Sequence, residues 1–262
     1  MNGVGAGGRL AKAAARFEEP PVRPQSGRKA ALKSLTAIWT VLLAGEGQRL
    51  AAAVKAGRTL KKAAGDPPED PIDPIDPGAW DEAQKATAKA TGELAQAGAA
   101  EGVAAIGLSD DGITALANPR AVAWAQAHAA ELVSQVSATT EQDIRDLVAQ
   151  SEEEGWSVDT LAAAIQDSTA FSAERAGRIA LHETRVADNQ GAQLGMLAAK
   201  ELGVETEKNW QPRGDNVCPV CEANEADGWI AVDDEFTSGD DAPPAHVRCE
   251  CDTEYRVKGD ET

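Results

Sequence analysis

Apolar positions recur at helical spacing along most of the chain. Leu32, Leu35, Trp39, Leu42, Leu43, Leu50 and Val54 fall near one face, at separations of 3, 4 and 7 residues. That pattern predicts an amphipathic helix from Arg28 to about Ala64. The "GEG" stretch at Gly45–Gly47 is expected to bend or break it, because glycine is free to leave the helical conformation. Residues 79–108 repeat the helical pattern with smaller side chains, and "SDDG" closes the run. In "NPR", Pro119 predicts the first position of a new helix, followed by Val122, Trp124, Ala125, His128, Leu132 and Val136. Thr139 or Thr140 predicts a further helix start, with Gln142 or Asp143 three residues on. Ser157 predicts another N-cap, and "FSAERAGRIALHETRVADNQGAQLGMLAAKELG" a long helix closed by Gly203.

After Gly203 the period shortens. "VETEKNWQP", "GWIAVDDEF" and "CDTEYRV" are partly alternating and richer in strand-forming residues. The predicted fold class is therefore mainly α, a helical body with a small β-rich, Cys/His metal-binding C-terminal lobe (α+β). "GDPPEDPIDPIDPG", Gly65 to Gly78, holds five prolines and five acidic residues, which predicts a stiff, charged connector. The expected organisation is a flexible basic arm (1–27), a helical segment (28–64), the acidic Pro-rich linker (65–78), the α-helical body (79–203), the Cys/His lobe (204–257) and a tail (258–262).

Composition changes this picture in one respect. Apolar residues make up 42% of the chain but aromatic ones only 4%. Alanine favours helix and fills little volume, so thin packing between helices is expected. Charge is unevenly spread. Residues 1–65 carry 12 Lys/Arg against 3 Asp/Glu, a net of +9, and the remainder carries −27. An acidic body repels phosphate, so contact with nucleic acid is expected only from the basic N-terminal segment. No apolar signal core precedes Arg28. The longest apolar run, "SLTAIWTVLLAG", has 12 residues, short of the roughly 20 needed to span a membrane. The chain is expected to be made in a cytoplasm, where disulfides are disfavoured.

All four cysteines lie in the last 45 residues. Cys218 and Cys221 form a C-x-x-C, and His246, Cys249 and Cys251 follow after 24 intervening residues. Zn²⁺ takes four N or S ligands in a tetrahedron, so five donors compete for four places. Cys218, Cys221, His246 and Cys249 are the predicted ligands of a structural Zn²⁺, because His246 and Cys249 repeat the x2 spacing. Cys251 is spare or replaces one of them. The alternatives are free or buried thiols and a pair of disulfides. A zinc deaminase would need H-x-E, but His182 and Glu183 are adjacent and point about 100° apart on a helix. His128 and His182 are read as ordinary helix residues. No phosphate loop, G-x-S-x-G or H-E-x-x-H is present.

"ERAGRIALHETRVADNQG", "KNWQPRGDNVCPVCEANEADGWIAVDDEF" and "PPAHVRCECD" together resemble the phage Mu F-like head morphogenesis family, also called minor head or minor capsid proteins. The matching positions are Arg175, Ala176, Ile179, Ala180, Glu183, Asn189, Gly191, Trp210, Cys218, Cys221, Phe236, Pro243, Pro244, His246, Cys249 and Cys251. The resemblance is tight over about 171–252 and looser over 119–170. His182 stands where the family usually has Thr, and Glu250 where it usually has Arg between the last two cysteines.

The resemblance implies a structural, non-enzymatic minor head protein of a tailed phage or prophage. It would associate with the portal vertex and act in head morphogenesis, DNA packaging or ejection. Implied partners are the portal protein and inner capsid or scaffold proteins, with several copies in the virion head and no membrane. A contact to packaged DNA by the basic N-terminal segment would fit its charge. Some relatives carry toxin or enzyme domains after this motif, but 11 residues follow Cys251, so none is expected here. The rival readings are a metal-dependent hydrolase, with Glu183 or Asp215 as the nearby carboxylate, and a zinc-ribbon nucleic-acid-binding module. The second is disfavoured because Arg213 and Arg248 are the only Lys or Arg residues from Trp210 to Cys251.

Overall fold

The computed structural model describes residues 25–60, 71–108, 111–214 and 217–259. Most of the expected arm, part of the Pro-rich linker, Asp215 and the last residues of the tail lie outside them. Among the described residues six α-helices run in order: α1 Arg28–Lys55, α2 Pro77–Ala105, α3 Asp111–Glu154, α4 Val158–Asp167, α5 Ala173–Glu201 and α6 Pro219–Ala226. The strands are β1 Thr59–Leu60, β2 Pro71–Ile72, β3 Thr206–Gln211, β4 Ile230–Ala231 and β5 Asp252–Val257. The fold is mainly α, with a small sheet beside the Cys/His residues, as the change of period implies.

Several helix ends follow from their cap chemistry. Asp76 accepts from the N–H groups of Gly78 at 2.9 Å and Ala79 at 3.3 Å, with Pro77 opening α2 where a missing N–H costs nothing. The Ser157 hydroxyl accepts from Thr160 N–H at 3.1 Å, as an N-cap should. At the end of α5, Gly203 has φ +91°. Val204 N–H reaches Ala199 O and Gly203 N–H reaches Lys200 O, the paired bonds of a Schellman cap.

Three local expectations are corrected. Gly45–Gly47 do not break α1. A Cβ on Gly47 would lie 2.9 Å from the Phe171 ring, so this glycine makes room for a neighbour inside a continuous helix. Pro119 lies inside α3 and does not start it. Thr139 and Thr140 are also interior to α3. Their hydroxyls bond back to Val136 O at 2.9 and 2.7 Å, which satisfies them without a helix start.

The described chain forms two compact units, each drawn from separated stretches. One spans Leu32–Ala90 and Gln126–Leu181. Its core gathers Trp39, Leu43, Leu50, Trp80, Ile144, Ile165 and Phe171. Trp39 and Trp80 meet edge-on with centroids 6.3 Å apart. Buried Glu46 accepts from Arg49 at 2.8 Å and from Asp76 N–H at 3.0 Å. Arg175 donates to the hydroxyls of Thr140 at 3.0 Å and Thr139 at 2.7 Å, and to Ala170 O at 2.9 Å.

The other unit holds the described residues of 25–31, Thr91–Ala125 and those from His182 to Gly259. Its helix pairing uses almost no side-chain volume. A Cβ on Gly191 of α5 would sit 2.1 Å from Ala95 O of α2, and one on Gly98 of α2 would sit 2.5 Å from Asp188 O. The backbones touch, which is the thin packing an alanine-rich chain can reach. Arg28 donates to Asp188 at 2.7 Å and to Asp252 at 2.6 Å, tying the start of α1 to α5 and β5. The sheet has the order β4-β3-β5 and is antiparallel, with Trp210 opposite Thr253. Alternation along β3 turns Thr206, Lys208 and Trp210 inward.

Candidate metal centre

Two loops supply the donors. Cys218 caps α6, with Pro219 at the first helical position. One turn of α6 brings Cys221 back beside it, and Cys221 N–H points at Cys218 Sγ from 3.4 Å. The second loop follows a cis Pro243–Pro244 bond and closes a tight turn, in which Cys249 N–H donates to His246 O at 3.0 Å. Arg248 takes φ +68° within that turn, a left-handed conformation unusual for a side-chain-bearing residue. Cys251 then leads into β5.

The loops converge on an apolar floor. Trp210 and Phe236 pack edge-on at 5.1 Å, and Cys221, Cys249 and Cys251 are buried with them. From α5, Arg185 donates to Cys249 O at 2.7 Å and lies 3.5 Å from Glu250. Asn224 holds Ser238 by two hydrogen bonds of 2.8 and 3.0 Å, and Asp227 accepts from Thr237 N–H at 2.7 Å. These bonds fix the long connection between the two ligand loops.

All five sequence-predicted donors come together. Cys218, Cys221 and His246 lie with their ligand atoms within 4.8 Å of one another, and so do Cys221, Cys249 and Cys251. Cys221 belongs to both triads. His246 Nε2 is 3.1 Å from Cys218 Sγ and 3.5 Å from Cys221 Sγ, and Cys221 Sγ is 3.7 Å from Cys249 Sγ. A tetrahedral zinc site with ordinary bond lengths has edges of about 3.8 Å between sulfurs and about 3.6 Å from nitrogen to sulfur. Within each triad the donors approach such spacing, the two triads meet at Cys221, and all four thiols are free of disulfides. His246 Nδ1 faces Val247 O at 3.0 Å. That bond fixes the tautomer and leaves the Nε2 lone pair directed at the thiols.

The electrostatics of the cluster point the same way. Cys249 is pulled down to about 5 because Cys251 donates to it, and Cys251 is pushed up in turn. Burial, then the neighbouring Cys249 charge, pushes Cys221 up to about 12. The Cys221 N–H lowers Cys218, and the Val247 carbonyl raises His246. The buried side of the cluster therefore carries one thiolate easily and resists a second. A cation is what lets several thiolates coexist there.

Sequence reasoning missed the supports. Arg185 and Arg28 are single cations within helices, and only the folded chain shows what they reach. His182 and Glu183 are both on α5, as expected, and neither is part of the thiol cluster.

No curated protein and no solved structure matches this chain. Residues 142–254 match the family model described as "Phage Mu protein F like protein". The matched stretch begins within α3 and takes in α5, the long β3 strand and all five donors. Over these residues the chain is similar to the phage Mu F-like family.

Proposed function

We propose that this chain is a structural minor head protein of a tailed phage or prophage, without catalytic activity. It associates with the portal vertex and acts in head morphogenesis, DNA packaging or ejection. The observation that carries this reading is the family match over residues 142–254, whose C-terminal part is the Cys/His lobe. The family supports a phage head-related protein. The portal location, the portal and inner-shell partners and the copy number are the finer part of the proposal. Among the described residues no helix is long and apolar enough to cross a membrane.

In this reading the metal is structural Zn²⁺, held by Cys218, Cys221, His246 and Cys249. When bound, the ion supplies a cross-link between two loops whose apolar floor is only a few side chains deep. The chain's own residues do the rest: His246 offers Nε2, Arg185 anchors the Cys249 loop, and Trp210 and Phe236 back the buried cysteines. The test is procapsid assembly with and without the protein. Fewer or aberrant heads without it, and its co-purification with the portal, are expected. Unchanged heads together with no portal association would sink the proposal.

A further inference from the structure

In the "GEG" stretch, Gly47 makes room for Phe171, but a Cβ on Gly45 would meet nothing within 4 Å. Gly45 is exposed inside a continuous α1. Glycine weakens a helix interior, and no neighbour among the described residues requires it here. Gly45 instead lines a groove of about 680 Å³ between α1 and α2, within the size range of ligand sites. The groove lies wholly within the Leu32–Ala90 stretch of one unit. Ile38, Val41 and Leu42 from α1 and Ala79 and Ala83 from α2 give it an apolar lining. Val41 is 74% exposed, the most of any large apolar side chain among the described residues. The charged residues lining the groove are Glu46, Asp76 and Glu82 against Arg49. Arg49 is already engaged by Glu46 at 2.8 Å and by Asp73 O at 3.0 Å. Glu82 is 77% exposed, and Lys85, 3.5 Å from it, sits closer to Asp81, at 2.6 Å.

From this groove we propose that α1 and α2 form a docking site for an amphipathic helical segment of another protein, apolar on one face and bearing Lys or Arg beside it. The apolar side chains enter between Ile38, Val41 and Leu42, as in other helix-in-groove contacts. Gly45, without a side chain, lets the partner's backbone come close. Glu82 pairs with the partner's cation. Charge complementarity selects this occupant at both ranges. Locally, three carboxylates face one arginine that is already held. At long range, the chain's net charge of −18 attracts a basic segment. The same charge repels a second copy of the chain, an acidic segment and nucleic acid. The proposal goes beyond the phage-head reading and depends neither on it nor on the metal cluster.

The test uses the full chain with labelled valine methyls for NMR. The main probe is an acetylated, amidated amphipathic peptide of Leu and Lys with Leu at helical spacing. Its counterparts replace Lys by Glu, or Leu by Ser at equal positive charge. The Leu/Lys peptide is expected to shift the Val41 methyls saturably. Gly45→Leu fills the groove from a position with open space around it, and should weaken binding at least about tenfold at an unchanged thermal midpoint or higher. Glu82→Lys should weaken it at least about threefold. Glu174→Lys, at an exposed carboxylate that does not line the groove, should leave it unchanged. Binding of neither Leu peptide overturns the proposal, and so does equally tight binding of the Leu/Glu or Ser/Lys peptide. Equal weakening by Glu82→Lys and Glu174→Lys also overturns it, because the peptide then senses only the overall charge. A dimer in sedimentation that Gly45→Leu dissociates would give the groove to a second copy and overturn it as well.

Discussion

Lys208 shows how much a single side chain can be asked to tolerate. It is 0% exposed on the inward face of β3, yet it is a lysine. Its Nζ donates to Asp241 O at 2.7 Å and lies 5.1 Å from the Phe236 ring centroid. Burial pushes its pKa down to about 8, against the pull of Asp241 and neighbouring carboxylates. The unfolded chain keeps the proton up to its ordinary 10.5. Between those values the unfolded state binds more protons, so Lys208's contribution to stability rises with pH over that window. Denaturant midpoints of the natural chain relative to Lys208→Met should therefore climb from pH 8 to 10.5, and a flat difference would count against this. Alternation marked β3 as a strand in the sequence. The inward turn of Lys208 depends on which face the rest of the unit covers. Arg28 poses the converse case. It satisfies Asp188 and Asp252, with side chains 1% and 7% exposed. Arg28→Met takes this cation from buried Asp188 and leaves Asp252 with the more distant Arg213, 3.9 Å away, at a cost of about 3–5 kcal/mol. Chemical unfolding measures it, and restoration by Asp188→Asn in the same chain would confirm the cause.

At the scale of elements, packing decided where helices end. Local chemistry put starts at Pro119 and at Thr139 or Thr140, and a break at Gly45–Gly47. Helices α1 and α3 run through all of them, because buried positions on both sides, such as Ala117, Ala121, Leu43 and Leu50, keep the same face covered. Caps without such competition, at Ser157 and Gly203, were legible. The Gly191–Ala95 contact makes the α2–α5 pair intolerant of volume. Gly191→Leu should cost at least about 1–3 kcal/mol in thermal or chemical unfolding; a loss under about 0.5 kcal/mol would mean that the helices can separate freely. In the Cys/His lobe, Cys221 belongs to both triads. Elemental analysis should find about one zinc per chain, lost in Cys221→Ala and Cys249→Ala and kept in Cys251→Ala. Loss in Cys251→Ala with retention in Cys249→Ala would give the fourth place to Cys251.

For the molecule as a whole, charge dominates. Net charge is −18, and everything beyond residue 65 carries −27. Several ion pairs, such as Arg120–Glu201 at 2.7 Å and Arg178–Glu174 at 2.9 Å, are exposed and contribute little. Self-repulsion of the acidic body should outweigh them, so its thermal midpoint should rise as salt goes from about 0.05 to 0.5 M and the Debye length shortens. A fall over that range would show that attractive pairs dominate.

The sequence by itself determined the helical class, the change to strands after Gly203, and the five Cys and His side chains that cluster. Each of these is written in local spacing: periods near 3.6 and 2, and the x2 intervals of the two ligand loops. It also carried the family resemblance, because that is a pattern of residue types along the chain. Only the tertiary structure decided that α1 and α3 run unbroken, that Lys208 faces inward, that Arg28 and Arg185 serve distant partners, and that Cys221 joins two triads. These depend on contacts between residues far apart in the chain, where burial and desolvation outweigh local preference.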